Sequence, residues 1–150
     1  MSQVNRDRAG RRVETDYLIV GAGALGMTFA DQLLTDTDAS IVIVDRHHMP
    51  GGHWNDAYPF VRLHQPSAFY GAGSRQLGSN RIEVTGFNRG YFELASSAEV
   101  LSYFDALMQE RFLPSGRVQY FPMSEYLVSL ESAHRHAQAA RRKACILLTS

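Results

Sequence analysis

Apolar positions along the chain fall into blocks of two kinds, short unbroken runs and stripes at helical spacing. Tyr17-Leu18-Ile19-Val20 and Ile41-Val42-Ile43-Val44 are unbroken. Such runs predict central parallel strands buried on both faces, the first taken from Asp16 to Val20. Between them, residues 24–34 predict a helix with Leu25, Phe29 and Leu33 as its sheet-facing stripe. Parallel neighbours need a crossover, and this helix supplies it. Arg117 to Phe121 alternates polar and apolar and predicts a third strand. Ahead of it, Ser96-Ser97-Ala98-Glu99 has the spacing of a capping box. The helix it opens is expected to reach about Arg111, with Val100, Phe104, Leu107 and Phe112 on the core face and Leu101 and Met108 beside them. Pro114 and Gly116 stop it. The fold class is α/β.

The link between the first strand and its helix sharpens this. It reads Gly21-Ala22-Gly23-Ala24-Leu25-Gly26, and the second strand ends on Asp45. Strand, glycine turn, helix, strand and terminal acid together form the dinucleotide-binding βαβ fingerprint. Gly21 allows the sharp turn off the strand. Gly23 lets the backbone approach a pyrophosphate, and Gly26 lets the helix pack closely on the sheet. The helix start offers unpaired N–H groups to phosphate. Asp45 is placed to take ribose hydroxyls, and Arg46 next to it either meets a 2′-phosphate or frames an adenine. A Walker loop would need Gly-Lys-Ser/Thr, which is absent. Gly71-Ala72-Gly73 echoes the tripeptide without a strand before it or a suitable helix after it, so it is expected to be loop. Arg81 to Val84 is a candidate short strand.

Composition narrows the partners. Fifteen basic against fifteen acidic residues give a formal net charge of zero, which offers no support for broad nucleic-acid binding. No apolar run approaches the roughly 20 residues of a membrane span. Arg11-Arg12 is followed by Val-Glu-Thr-Asp rather than an apolar signal region, so a cytoplasmic protein is the default expectation. Cys145 stands alone, which excludes an internal disulfide. His47, His48 and His53 lack the fixed spacing of a metal site, and none is expected.

After Asp45 the chain runs through a long stretch rich in turn residues that also carries Trp54, Tyr58, Phe60, Phe69 and Tyr70. Loops beyond about 12–15 residues are usually functional or disordered. This one is too aromatic for disorder and should pack against something, a planar cofactor being one candidate. Within it stand Gly51-Gly52-His53-Trp54 and Tyr58-Pro59-Phe60-Val61-Arg62.

With the glycine turn and Asp45, these motifs resemble the FAD-binding segment of flavin-containing monooxygenases and related two-dinucleotide flavoproteins. The resemblance covers roughly residues 16–127. It implies a Rossmann-like domain with a parallel sheet and a long aromatic loop insertion. It further implies FAD as cofactor and NADPH as co-substrate of the full-length family, with flavin reduction followed by oxygen transfer to a substrate that the sequence does not identify. The cofactor-binding residues carried over are Gly21, Ala22, Gly23, Ala24, Leu25, Gly26, Asp45, Arg46, Gly52, His53, Trp54, Arg62 and His64. His64 stands where Baeyer–Villiger-type members tend to have Asp. The segment after the third strand, Pro122 to Tyr126, is implied to touch the ring system by its backbone.

The expected organisation is a flexible leader over 1–15, an FAD/NAD(P)-binding domain over 16–130 and an atypical tail over 131–150. The tail turns to an Ala/Arg/His-rich, helix-like composition and no second GxGxxG is present. A partial domain, truncated or frame-altered after about Leu127, is therefore expected. Three functional readings stay open: the FAD-binding segment of an NAD(P)H-linked oxidoreductase, a non-catalytic nucleotide-binding fragment, and a domain that binds NAD(P) alone.

Overall fold

The computed structural model describes residues 11–126 and 144–148. Three parallel strands form the main sheet in the order β2 (Tyr17–Val20), β3 (Ile41–Val44), β4 (Val118–Phe121). Tyr17 pairs with Ile41, and Ile41 in turn with Val118. Helix α1 (Ala24–Asp36) is the crossover from β2 to β3. Helix α2 (Ser97–Leu107) precedes β4. All four residues of β3 are buried, as expected of an unbroken apolar run between two neighbours.

Strand β2 departs from the expectation of burial on both faces. It lies at the sheet edge among the described residues, and Tyr17 and Val20 are exposed. The stripe on α1 also differs. Met27, Ala30, Leu33 and Leu34 are buried, while Leu25 is 89% exposed and Phe29 50%. Gly26 sets the rotation. A Cβ there would lie 2.1 Å from the Gly21 carbonyl oxygen and 3.2 Å from Ile19, so Gly26 marks the face against the strand. Positions 27, 30, 33 and 34 follow it at helical spacing, and Leu25 and Phe29 turn outward.

Helix α2 keeps its expected face. Val100, Phe104, Leu107, Met108 and Phe112 are fully buried. Each such side chain contributes about 1.5–3 kcal/mol of transfer free energy. The capping box forms: the Ser96 N–H donates to Glu99 at 2.7 Å, and the Glu99 N–H donates to Ser96 Oγ at 3.4 Å. The Ser96 N–H and the Ser96 hydroxyl, which also donates to Glu99 Oε2 at 2.7 Å, hold the Glu99 carboxyl below its ordinary pKa. The helix continues as one wide turn over Met108–Phe112 and a tight one over Leu113–Ser115, closing on Gly116 at φ 69°.

The segment expected as a leader includes a strand. Arg11–Thr15 forms β1, antiparallel to β5 (Ala144–Leu148). Val13 packs with Val42 and Val44, and Thr15 Oγ1 donates to the Ser40 carbonyl at 2.8 Å. The tail's expected helix lies outside the described residues. Gly71–Gly73 is loop, as expected. Around Arg81 to Val84 there is a single bridge, Ile82 with Phe92, in place of a strand. The aromatic loop packs in part: Trp54 and Tyr70 turn inward, whereas Tyr58 (69%), Phe60 (80%) and Phe69 (75%) are exposed.

Candidate functional site

The site lies where the carboxyl ends of β2 and β3 meet the start of α1. Gly21, at φ 104°, extends the parallel ladder by donating to the Val44 carbonyl at 2.7 Å. Nothing lies within 4 Å of where its Cβ would stand. The Ala22 backbone is fully used: its N–H donates to Asp45 Oδ2 at 2.5 Å and its carbonyl accepts from Gly51 at 2.8 Å. Helix α1 then begins at Gly23 with no side-chain cap and no acidic residue in its first turn. The first N–H groups of a helix have no partner within it. Together with the helix dipole they suit an anion, and the open space at Gly21 fits the close approach of a phosphate.

A second glycine pair braces this turn. Gly51 and Gly52 have φ of 128° and 58°. A Cβ on Gly52 would stand 2.8 Å from Gly23 Cα, so the two backbones touch directly. The Gly52–Asp56 turn thus rests on the phosphate-facing loop, and Trp54 anchors it. Trp54 is 6% exposed and donates through Nε1 to the Tyr70 hydroxyl at 2.7 Å, with the two rings edge to face. It is a core anchor in this structure rather than an open wall. His53 is exposed, its ring 5.1 Å from that of Trp54.

Asp45 directly follows β3, only 5% exposed, at the edge of an open depression of about 280 Å3. The depression is bounded by Val20, Gly21, Val44, Asp45, Arg46 and His47, and across from them by Ser124, Glu125 and Tyr126. Small-molecule pockets run about 300–1,000 Å3, so this one suits half a dinucleotide rather than the whole. The far wall is held by backbone bonds: Ser124 donates to the Asp45 carbonyl at 2.9 Å and Met123 to that of His47 at 3.0 Å. On β4, the Tyr120 hydroxyl is buried without a partner among the described residues. Burial, then the charges of Asp45 and Asp105, push its pKa up to about 12.

The structure therefore brings Gly21, Ala22, Asp45 and Arg46 together, with Gly23, Ala24 and Gly26 continuing into the helix. Leu25 points to solvent, and Gly52 braces the turn from outside. Arg62 and His64 do not line the depression. Arg62 donates to the Leu94 carbonyl at 2.9 Å, and His64 is exposed. Sequence reasoning missed His47. Its ring reaches Asp45 Oδ1 through Nδ1 at 2.9 Å and Asp56 Oδ2 through Nε2 at 3.0 Å. Its place two residues after the acid was the only signal for it.

Comparison with known proteins agrees with this geometry. Residues 19–73 match the model of the NAD(P)-binding Rossmann-like domain. Uncharacterised proteins of Mycobacterium bovis and Mycobacterium tuberculosis are 59% identical over 117 residues, 78% of this chain. The chain spans 22% of the length of these relatives. A flavin-containing monooxygenase from Stenotrophomonas maltophilia superposes with a TM-score of 0.52 at 23% identity, over 70% of this chain and 28% of that one. A steroid monooxygenase bound to NADP superposes with a TM-score of 0.52 at 20% identity, over 71% of this chain and 19% of that one. Residues 19–73 are thus similar to the NAD(P)-binding Rossmann-like domain, and the chain shares the βαβ fold of the flavin-containing monooxygenase structure.

Proposed function

We propose that this chain is the FAD-binding segment of an FAD-dependent, NAD(P)H-linked oxidoreductase of monooxygenase type. The observation that carries the proposal is the uncapped start of α1, with the Gly23–Gly52 backbone contact on one side and Asp45 at the edge of the depression. The ADP half of the cofactor would lie with its pyrophosphate on Gly21–Gly26, its ribose at Asp45 and its adenine toward Ser124–Tyr126. Arg46 would stand beside the adenosine, and Gly52 and His53 would follow along the loop. Arg62 and His64 are assigned to the flavin end by the resemblance of the Tyr58–Arg62 stretch alone. When bound, FAD supplies the redox chemistry; the residues here bind it and orient it.

Two observations favour other readings. The matching domain model is described as NAD(P)-binding, which favours a site that takes NAD(P) alone. The 22% span of the relatives favours a nucleotide-binding segment without turnover of its own. Titration of the purified protein with FAD and with NADPH, followed by fluorescence, separates these readings, and an NADPH-oxidation trace completes the set. The proposal expects weak FAD binding and little NADPH oxidation. Asp45→Ala should weaken FAD binding about tenfold or more, since hydrogen bonds to a charged group are worth about 1.5–3 kcal/mol. NADPH binding with no FAD binding would overturn the flavin assignment.

A further inference from the structure

A carboxylate offers about four acceptor positions. On Asp45 three are in use: Oδ2 accepts from Ala22, and Oδ1 accepts from the His47 backbone at 2.7 Å and faces the His47 ring at 2.9 Å. The other ring nitrogen faces Asp56 at 3.0 Å. Carboxylates only accept, so both ring nitrogens must donate, and only an imidazolium carries two N–H groups. A neutral ring can hold one carboxylate but not both. A ribose diol brings two hydroxyl donors to Asp45, where one acceptor position is left.

We propose that His47 is a proton-operated latch on the ribose-binding carboxylate: its protonated ring, bridging Asp45 and Asp56, occupies an acceptor that a ribose hydroxyl needs. The inference rests on the nucleotide reading of the same site. Loss of one proton leaves the ring a single N–H, enough for one carboxylate; held by Asp56 alone, it leaves Asp45 to the ligand. Nucleotide binding then releases that proton, so affinity rises with pH. The other charged groups facing the ring's surroundings are Arg46 on its own loop and Glu125 across the depression. His48 and His53 flank it in the chain and on the braced turn. The bond to Asp56 raises the pKa of His47, burial opposes this, and Asp45 adds to the rise.

The test is the FAD dissociation constant between about pH 6 and about pH 8.5, a window bracketing the ordinary histidine value near 6.5. FAD's pyrophosphate diester does not ionise in this window. The constant should fall by up to about tenfold per pH unit through the His47 titration. His47→Gln should flatten the profile and bind more tightly at the acid end, and Asp56→Asn should move the midpoint down. His48→Gln should keep the wild-type profile. A second readout needs no nucleotide: NMR should show the His47 ring doubly protonated at the acid end, with a midpoint above 6.5 that drops in Asp56→Asn. An unchanged profile in His47→Gln, or a ring midpoint at or below the ordinary value, overturns the latch. Failure of the wild type to bind FAD at any pH overturns the nucleotide reading and the latch's role, while the ring titration still reports whether the bridge exists.

Discussion

Gly-Ala-Gly occurs twice in this chain, at Gly21–Gly23 and at Gly71–Gly73, and the two copies have opposite fates. The first follows a strand and opens a helix. Its Gly21 adopts a positive φ, and the helix donors beyond it meet no side-chain cap. The second turns within a loop whose donors the protein uses itself. The Ala72 N–H donates to the Tyr103 hydroxyl at 2.6 Å and the Ser74 N–H to buried Asp31 at 2.8 Å. Arg111 also donates to Asp31, from Nε at 2.7 Å, tying α1, this loop and the turn after α2 together. The first copy hands over to a helix start whose donors have no side-chain cap, whereas Tyr103 and Asp31 take up the donors at Ala72 and Ser74 in the second. What surrounds a glycine turn, rather than its letters, decides whether it can hold an anion.

Substitutions that break one copy and spare the other sharpen the contrast. The largest effect is expected from Gly26→Ala, whose Cβ would meet the Gly21 carbonyl oxygen at 2.1 Å. Destabilisation of about 3 kcal/mol, the upper end for overpacking, should appear in chemical denaturation together with loss of nucleotide binding. Tyr103→Phe comes next. It leaves the Ala72 N–H without its acceptor and should cost about 1–3 kcal/mol, with the FAD dissociation constant unchanged. Ser96→Ala removes the cap of α2, away from both turns, and should cost about 1 kcal/mol by the same denaturation measurement. Gly73→Ala should stay within about 0.5 kcal/mol, because its Cβ meets only side-chain oxygens at 3.8 and 3.9 Å.

The smallest effect is one of pH on the ligand-free protein. The folded-state pKa of His47 is raised, so its bridge stabilises the fold fully below the unfolded value. That contribution is lost as pH rises through the raised value. Asp56 is 66% exposed, so solvent screening keeps the change small. Melting temperature should therefore fall slightly over the range where FAD affinity rises, and His47→Gln should remove both trends.

Much of this was legible in the chain because local rules and tertiary packing agree there. The order β2, α1, β3 follows from two unbroken apolar runs around a glycine turn, and the cap of α2 from Ser96 and Glu99. The rotation of α1 was not legible, because Leu25-x-x-x-Phe29 offers as good an apolar stripe as Met27-x-x-Ala30. Only the contact of Gly26 with Gly21 chooses between them. Whether Trp54 faces a cofactor or the core was not legible, since aromatic composition does not reveal direction; its bond to Tyr70 turns it inward. Strand β1 was hidden because Arg11-Arg12-Val13-Glu14-Thr15 is charged and its partner lies over a hundred residues away. His47 was hidden for a similar reason: Asp56, its second anchor, is brought near by a turn that no periodicity announces.

Amide chemical-shift mapping during FAD titration tests the central assignment most directly. Shifts should concentrate at Gly21–Gly26, Asp45 and Ser124–Tyr126, leave Ala72–Ser74 unmoved, and need about tenfold or more FAD to develop in Asp45→Ala. Shifts centred on the second glycine copy, or none at the first at saturating FAD, would contradict the account.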